Sequence, residues 1–203
     1  MESVSCYAQA EKSAGREPPA GERGGYPMEK QLRQLVMAAL FAALCCVATM
    51  VIQIPSPMQG YVNLGDCIVL LAGWMLGPWY GMAAAGLGSA LADVLLSYAH
   101  YAPGTLVIKA LMAFLCAVLA RRADGGRRGL ARRLVSGVAA EILMVAGYFG
   151  YACLLLGKGL SAAASIPGNL FQGAVGVTAA AALYGILEKS GSFRYLKKAG
   201  LHI

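Results

Sequence analysis

The chain has 203 residues, of which 58% are hydrophobic and only 13% charged, with a formal net charge of +7 and 26 glycines. A soluble domain carries about 25% charged residues; together with a mean hydropathy of +0.60 this argues against a water-soluble enzyme and for a polytopic membrane protein with short loops. In that setting the positive charge points to the inner face of a membrane, not to nucleic acid.

Residues 1–27 are rich in Glu, Lys, Arg, Pro, Gly and Ser and have almost no apolar run, so they are expected to form a disordered leader. They lack the apolar h-region of a signal peptide. Met28 precedes Glu-Lys-Gln-Leu-Arg-Gln and a long apolar stretch, and is expected to be the true start. Residues 28–190 then form the membrane domain, and 191–203 a basic cytoplasmic tail.

A spanning helix needs about 20 mostly apolar residues. The first candidate covers 32–54 and stops at Pro55-Ser-Pro57. The second, 63–76, is short for a full crossing and ends at the turn Gly77-Pro78-Trp79-Tyr80-Gly81. The third covers 80–98, followed by the turn His100-Tyr-Ala-Pro103-Gly104, and the fourth 105–120. The fifth and sixth cover 134–156 and 166–187. The predicted fold is therefore an all-α integral membrane protein, a six-transmembrane-helix bundle.

Arg121, Arg122, Arg127, Arg128, Arg132 and Arg133 crowd the loop after the fourth span and place it in the cytoplasm. Both termini then lie inside as well, flanked by Lys30 and Arg33 at one end and Lys189, Arg194, Lys197 and Lys198 at the other. Loops 55–62, 99–104 and 157–165 face outside, with Lys158 their single formal charge.

Among the spans, Asp66, Asp93, Lys109 and Glu141 are ionisable. Buried charges in a bilayer cost several kcal/mol, which marks them as functional candidates. Asp93 and Lys109 lie at equal sequence distance from Tyr101, so an ion pair between them is expected, as a clamp between spans three and four or as a ligand contact. Asn63 and Asp66 have the spacing of a helix capping box, with ligand contact open for Asp66. Glu141 and Tyr148, seven residues apart, share a helix face with Tyr151 nearby; the stripe lines a cavity or bonds to neighbouring helices. Asn169 and Gln172 stand three apart beside Phe171, an amide and aromatic set suited to a neutral heterocycle, although Asn169 also fits a cap. Tyr98 and His100 belong to the outer turn, His100 as an interfacial or lid residue.

Cys6, Cys45, Cys46, Cys67, Cys116 and Cys153 show no metal or redox spacing and are expected to be free thiols. No metal or cofactor is called for. No phosphate loop, HExxH helix or GxSxG elbow is present, so any uphill transport draws on ion coupling or on a partner. Ala38, Ala39, Ala42 and Ala43 form two overlapping Ala-xxx-Ala pairs, a pattern that lets helices approach closely within the chain or with another protein. Gly81, Ala85, Gly88 and Ala92 repeat the theme in span three. The chain halves show no inverted repeat.

Three segments, Gly60-Tyr-Val-Asn-Leu-Gly-Asp66, Gly88-Ser-Ala-Leu-Ala-Asp93 and Tyr98-Ala-His-Tyr-Ala-Pro-Gly-Thr-Leu-Val-Ile-Lys109, carry a family likeness together with the alanine-rich first helix. Over about residues 30–190 the chain resembles the substrate-binding S components of energy-coupling factor (ECF) vitamin transporters, most closely the riboflavin-type group. That resemblance implies a non-enzymatic subunit that binds a vitamin or vitamin precursor near the outer face of a bacterial cell membrane. It implies docking through Ala39 and Ala43, with Ala38 and Ala42 adjacent, on a transmembrane coupling subunit (the T component) carried by two cytosolic ATPases. Asp66, Asp93, Tyr98, His100, Lys109, Glu141, Tyr148, Asn169 and Gln172 are the expected ligand contacts. Pyridoxine or a hydroxymethylpyrimidine is the expected substrate, ahead of riboflavin. A solitary ion-coupled carrier using Asp93, Lys109 and Glu141 is the alternative. A membrane-embedded enzyme is third, since the acids are too scattered for a catalytic cluster.

Overall fold

A computed structural model describes residues 27–51, 53–56, 60–121 and 127–193. The expected leader, apart from Pro27, lies outside the described residues, as do Cys6 and most of the basic tail. In chain order the elements are α1 (Pro27–Val51), the strands β1 (Gln53–Ser56) and β2 (Gly60–Asn63), α2 (Gly65–Leu95), α3 (Ala102–Ala120), α4 (Arg127–Gly150) and α5 (Ile166–Lys189). A π-helical turn, Tyr151–Leu155, continues α4, and a 3-10 segment, Gly159–Ser165, leads into α5. Among the described residues, five helical runs are long and apolar enough to cross a membrane.

The expected spans two and three are the two arms of α2, which is sharply broken at Gly77. Within α2, Gly77 has φ 78° and ψ −177° and is followed by Pro78. Only glycine adopts that conformation freely, and proline, lacking an N–H, suits the first turn of a new helical arm. A Cβ on Gly81 would lie 2.8 Å from the carbonyl oxygen of Ala72. Nine residues along a straight helix are about 13 Å apart, so the arms 65–76 and 78–95 fold back on each other.

α3 packs along both arms. Gly73 lies against Ala113 and Cys116, and a Cβ on Gly86 would meet the carbonyl oxygen of Leu106 at 2.8 Å. The core joins Leu70, Met112 and Ala113 to Ala140, Met144 and Ala180 of α4 and α5. In lipid there is little hydrophobic force between helices, so such close packing of small residues holds the bundle together. Cys45, Cys46, Cys67 and Cys116 are buried free thiols, and Cys153 is half-buried.

α1 splits its alanines. Ala38 is buried and Ala42 half-buried against α2, where a Cβ on Gly88 would come within 2.9 Å of the Ala42 backbone. Ala39 and Ala43 face away from the bundle and are exposed, beside exposed Leu35, Val36, Leu40 and Val47. Only 22% of the apolar window of α1 is buried, against 67% for α2, so α1 keeps the freest face.

This packing yields a test. Gly88→Val drives a side chain into the Ala42 backbone and is expected to cost about 3 kcal/mol or more. Gly185, with nothing near its Cβ position, is the contrast: Gly185→Ala should be neutral or stabilising by up to about 1 kcal/mol. Thermal unfolding in detergent measures both, and equal behaviour of the two variants would contradict the close α1–α2 approach.

The two ends of the bundle differ. One carries the β-hairpin, with register Gln53↔Asn63 to Ser56↔Gly60, together with the 96–101 turn and the 3-10 segment. The other carries the Gly77 turn and the arginines. There the expected loop 121–133 is already helical from Arg127; Arg127, Arg128 and Arg132 are exposed, while Arg133 is buried with its guanidinium 4.0 Å over the Tyr184 ring. Tyr184 also meets Trp74 edge-on at 6.0 Å, and the Trp74 indole N–H donates to Ser136 Oγ at 3.0 Å.

Candidate ligand-binding site

α2 begins late because the β-hairpin occupies the chain before it. Leu64 holds the N-cap position without a side-chain cap, and Asn63 Oδ1 instead accepts the N–H of Gly65 at 2.8 Å. Asn63 thus does part of the expected capping, but Asp66 does not complete a capping box. Its carboxylate turns into the bundle. The Lys109 ammonium of α3 pairs with Asp66 Oδ1, both side chains being almost fully buried. Gln172 of α5 donates from Nε2 to Asp66 Oδ2 at 2.7 Å, and its Oε1 accepts the Asn63 backbone N–H at 2.9 Å. One buried carboxylate therefore ties α2, α3, α5 and the hairpin together.

The expected Asp93–Lys109 pair is replaced by Asp66–Lys109, and the cause is where the helices end. Ser97, at φ 65°, closes α2 in a left-handed cap, with the Tyr98 N–H donating to Asp93 O at 2.8 Å and the Ser97 N–H to Val94 O at 3.2 Å. Asp93 thus sits two residues inside its helix and Lys109 seven inside α3, an offset of about 7 Å along the axes. Asp66, at the head of the arm that runs beside α3, is the acid within reach. Asp93 is itself buried near the hairpin end of the bundle.

Tyr148 and Glu141 join the cluster from α4. The Lys109 ammonium lies 5.5 Å from the Tyr148 ring centroid, and the Tyr148 hydroxyl donates to Thr105 Oγ1 at 3.1 Å. Glu141 is buried, and its carboxylate lies against α5, where Cβ atoms on Gly173 and Gly176 would each come within 3.1 Å of one of its oxygens. Asp66, Lys109, Glu141, Tyr148 and Gln172 are thus brought together. Asn169 is half-buried, one turn from Gln172 toward the hairpin end.

Tyr98 and His100 stay in the turn above this cluster, half-buried and exposed respectively, their rings 6.2 Å apart. That turn is fastened to the end of α4. The Tyr151 hydroxyl donates to the His100 carbonyl at 2.8 Å, and a Cβ on Gly104 would strike the Tyr151 ring at 2.7 Å. The Lys158 ammonium donates to the Tyr101 hydroxyl at 2.9 Å.

Sequence reasoning did not place Thr105, Gly173 and Gly176 in the site. The two glycines were legible as a pair three apart, directly after Gln172 and on one helix face. Among the described residues no three His, Cys, Asp or Glu side chains are grouped to hold a metal ion. The arrangement suits reversible capture of a small polar molecule, with ionic groups buried at the meeting point of four helices and a fastened turn above them.

Residues 29–189 match the family described as "ECF-type riboflavin transporter, S component". The chain is also 37% identical over 144 residues to a protein of Pyrococcus woesei described as "Uncharacterized protein in gap 3'region", an alignment that covers 70% of this chain and 93% of that protein.

Proposed function

The chain belongs to the ECF-type riboflavin transporter S component family, and we propose that it captures a vitamin or vitamin precursor at the Asp66–Lys109–Gln172 cluster for import. Membership makes it a non-enzymatic, substrate-binding subunit of a vitamin transporter, and its apolar helices make it a multi-pass membrane protein. The observation that carries the site is the buried ionic cluster beneath the β-hairpin, drawn from α2, α3, α4 and α5. Asp93, Tyr98, His100 and Asn169 complete the site on its outer side.

The hairpin end faces outward in this reading and the arginine end faces the cytoplasm, supported by the exposed Arg127, Arg128 and Arg132. Counting the two arms of α2 as separate crossings gives six, with both termini inside a bacterial cytoplasmic membrane. Energy comes from two cytosolic ATPases through a transmembrane coupling subunit, which docks on Ala39 and Ala43. The outward position and exposure of these two alanines support that face. A pyridoxine-like or hydroxymethylpyrimidine substrate is favoured over riboflavin by the compact, strongly polar set of groups. Family membership does not favour a solitary ion-coupled carrier.

Gln172→Leu tests the site. It removes the donor to Asp66 and the acceptor for Asn63, a stability cost of about 1–3 kcal/mol, and is expected to abolish ligand binding in protein that still purifies as a monodisperse species. Isothermal titration against pyridoxine, hydroxymethylpyrimidine and riboflavin reads the effect. Wild-type affinity in this variant would move the ligand elsewhere.

A further inference from the structure

Between residues 121 and 133 the chain places six arginines against one acid, Asp124, and no lysine. Membrane orientation is set by lysine and arginine alike, and the termini are flanked mostly by lysine, at Lys30, Lys189, Lys197 and Lys198. Using guanidinium alone at this one loop suits a further task, because its planar fork matches two N–H groups to two oxygens of a phosphate.

Helical periodicity sets three of these arginines around one surface. Ala131, Val135, Val138 and Ile142 follow at spacings of four, three and four, so they form a single stripe along α4, and all four are exposed. Arg127 and Arg128 come four and three residues before Ala131. At 3.6 residues per turn they straddle the head of the stripe, about 50° to either side, and Arg132 flanks it. All three arginines are exposed, whereas Arg133 turns inward over the Tyr184 ring. The first turn of α4 holds no acid, and the next acid in the helix is Glu141, about 20 Å along the axis from Arg127.

Val135 is 68% and Ile142 62% exposed, and in a bilayer such side chains face acyl chains. Arg127 and Arg128 stand about 10–12 Å beyond Val135 along the axis, a distance that carries their guanidinium groups out of the hydrocarbon and into the headgroup layer. Charge at the head with apolar length directly below it is the outline of one phospholipid. We propose that the Arg127–Arg128–Arg132 face of α4 binds an anionic phospholipid, with its phosphate on the guanidinium groups and one acyl chain along Ala131, Val135, Val138 and Ile142. The small side chain of Ala131 leaves room at the junction for the glycerol backbone. A zwitterionic headgroup brings its own cation to the arginines and is disfavoured. A free phosphate makes no use of the stripe, and an acidic protein surface reaches the arginines without the valines below them. The face lies about 30 Å along α4 from Tyr148, apart from the ligand site.

The test takes the purified full-length protein, delipidated in detergent, and titrates it with dioleoylphosphatidylglycerol or dioleoylphosphatidylcholine while native mass spectrometry counts the bound lipid. Phosphatidylglycerol should bind at least about 10-fold more tightly than phosphatidylcholine. Each arginine beside an anionic lipid is worth about fivefold in affinity, so Arg127→Gln with Arg128→Gln should weaken phosphatidylglycerol by about 25-fold. Ala131→Trp keeps every charge but fills the junction, and should weaken it as well. Lys189→Gln removes an exposed charge from the last turn of α5 at the same end of the bundle and should leave the affinity within about twofold. In phosphatidylcholine nanodiscs the double variant should unfold at the wild-type temperature, and in phosphatidylglycerol nanodiscs it should lose the extra stability that wild type gains. Equal wild-type affinity for the two lipids, undiminished phosphatidylglycerol binding by the double variant, or an equal loss in Lys189→Gln overturns the inference. So does displacement of the lipid by glycerol phosphate at matched concentration, which would give the arginines to a free phosphate, or by polyglutamate, which would give them to an acidic protein.

Discussion

Lys109→Met is expected to destabilise the protein by about 3–5 kcal/mol, the cost of leaving a buried ion without its counter-charge. The ammonium is the positive partner of Asp66 in a region where both groups are sealed from solvent. Removing it leaves the buried Asp66 carboxylate without its counter-charge, with Gln172 still donating to it. Thermal unfolding in detergent should show a large drop, and ligand binding should vanish with it. Asp66→Asn in the same chain removes the matching charge, so the double variant should recover much of the loss. Contacting groups of this kind are non-additive by about 0.5–3 kcal/mol. A Lys109→Met protein as stable as wild type, or a double variant as damaged as the sum of the two singles, would mean that the pair contributes nothing.

The second large effect concerns transport. Ala39→Trp and Ala43→Trp, alone or together, are expected to reduce vitamin uptake by cells to background while leaving ligand binding by the purified subunit unchanged. Both alanines lie on the exposed face of α1, so a bulky side chain there meets lipid in the isolated protein and causes no internal clash. It clashes only with a partner that approaches as closely as small-residue faces allow. Affinity purification of the tagged variants should recover the subunit without a coupling subunit or ATPases. Ile186→Trp, on the exposed face of α5, serves as control and should retain uptake. Uptake unaffected by the alanine variants, or lost equally with the control, would remove α1 as the docking face.

Much of this was legible in the residues because membrane spans impose strong compositional rules. Length, apolar runs, proline and glycine stops and the arginine cluster located most helical segments to within a few residues. The splitting of α1 into an inward Ala38–Ala42 pair and an outward Ala39–Ala43 pair follows from helical periodicity alone, though the choice of side needed Gly88 on the neighbouring arm. What stayed hidden were features set by tertiary contact. The β-hairpin between Gln53 and Asn63 is too short to show a clear alternating pattern, and the chain there reads equally as a loop.

The identity of Lys109's partner was hidden for a related reason. Counting residues from a turn assumes that both helices begin at equal distance from it, and the left-handed Ser97 cap breaks that symmetry. The polar residues themselves were identifiable, because ionisable groups in an apolar run are rare. Which of them meet depends on the parallel course of the short α2 arm beside α3, which no local pattern encodes.

The fold-back at Gly77 also has a consequence for biogenesis. The arm before it, Gly65–Leu76, is about 18 Å long, well short of the roughly 30 Å hydrocarbon layer, so it offers the insertion machinery too little apolar length to be accepted by itself. It enters the bilayer only as half of a hairpin, once the longer arm has left the ribosome. Asp66 lies at the open end of that hairpin, opposite the Gly77 turn, and gains its counter-charge only when α3 packs beside the short arm and brings Lys109 to it. The buried ionic cluster is thus completed only by the later helices, α3 with Lys109 and α5 with Gln172.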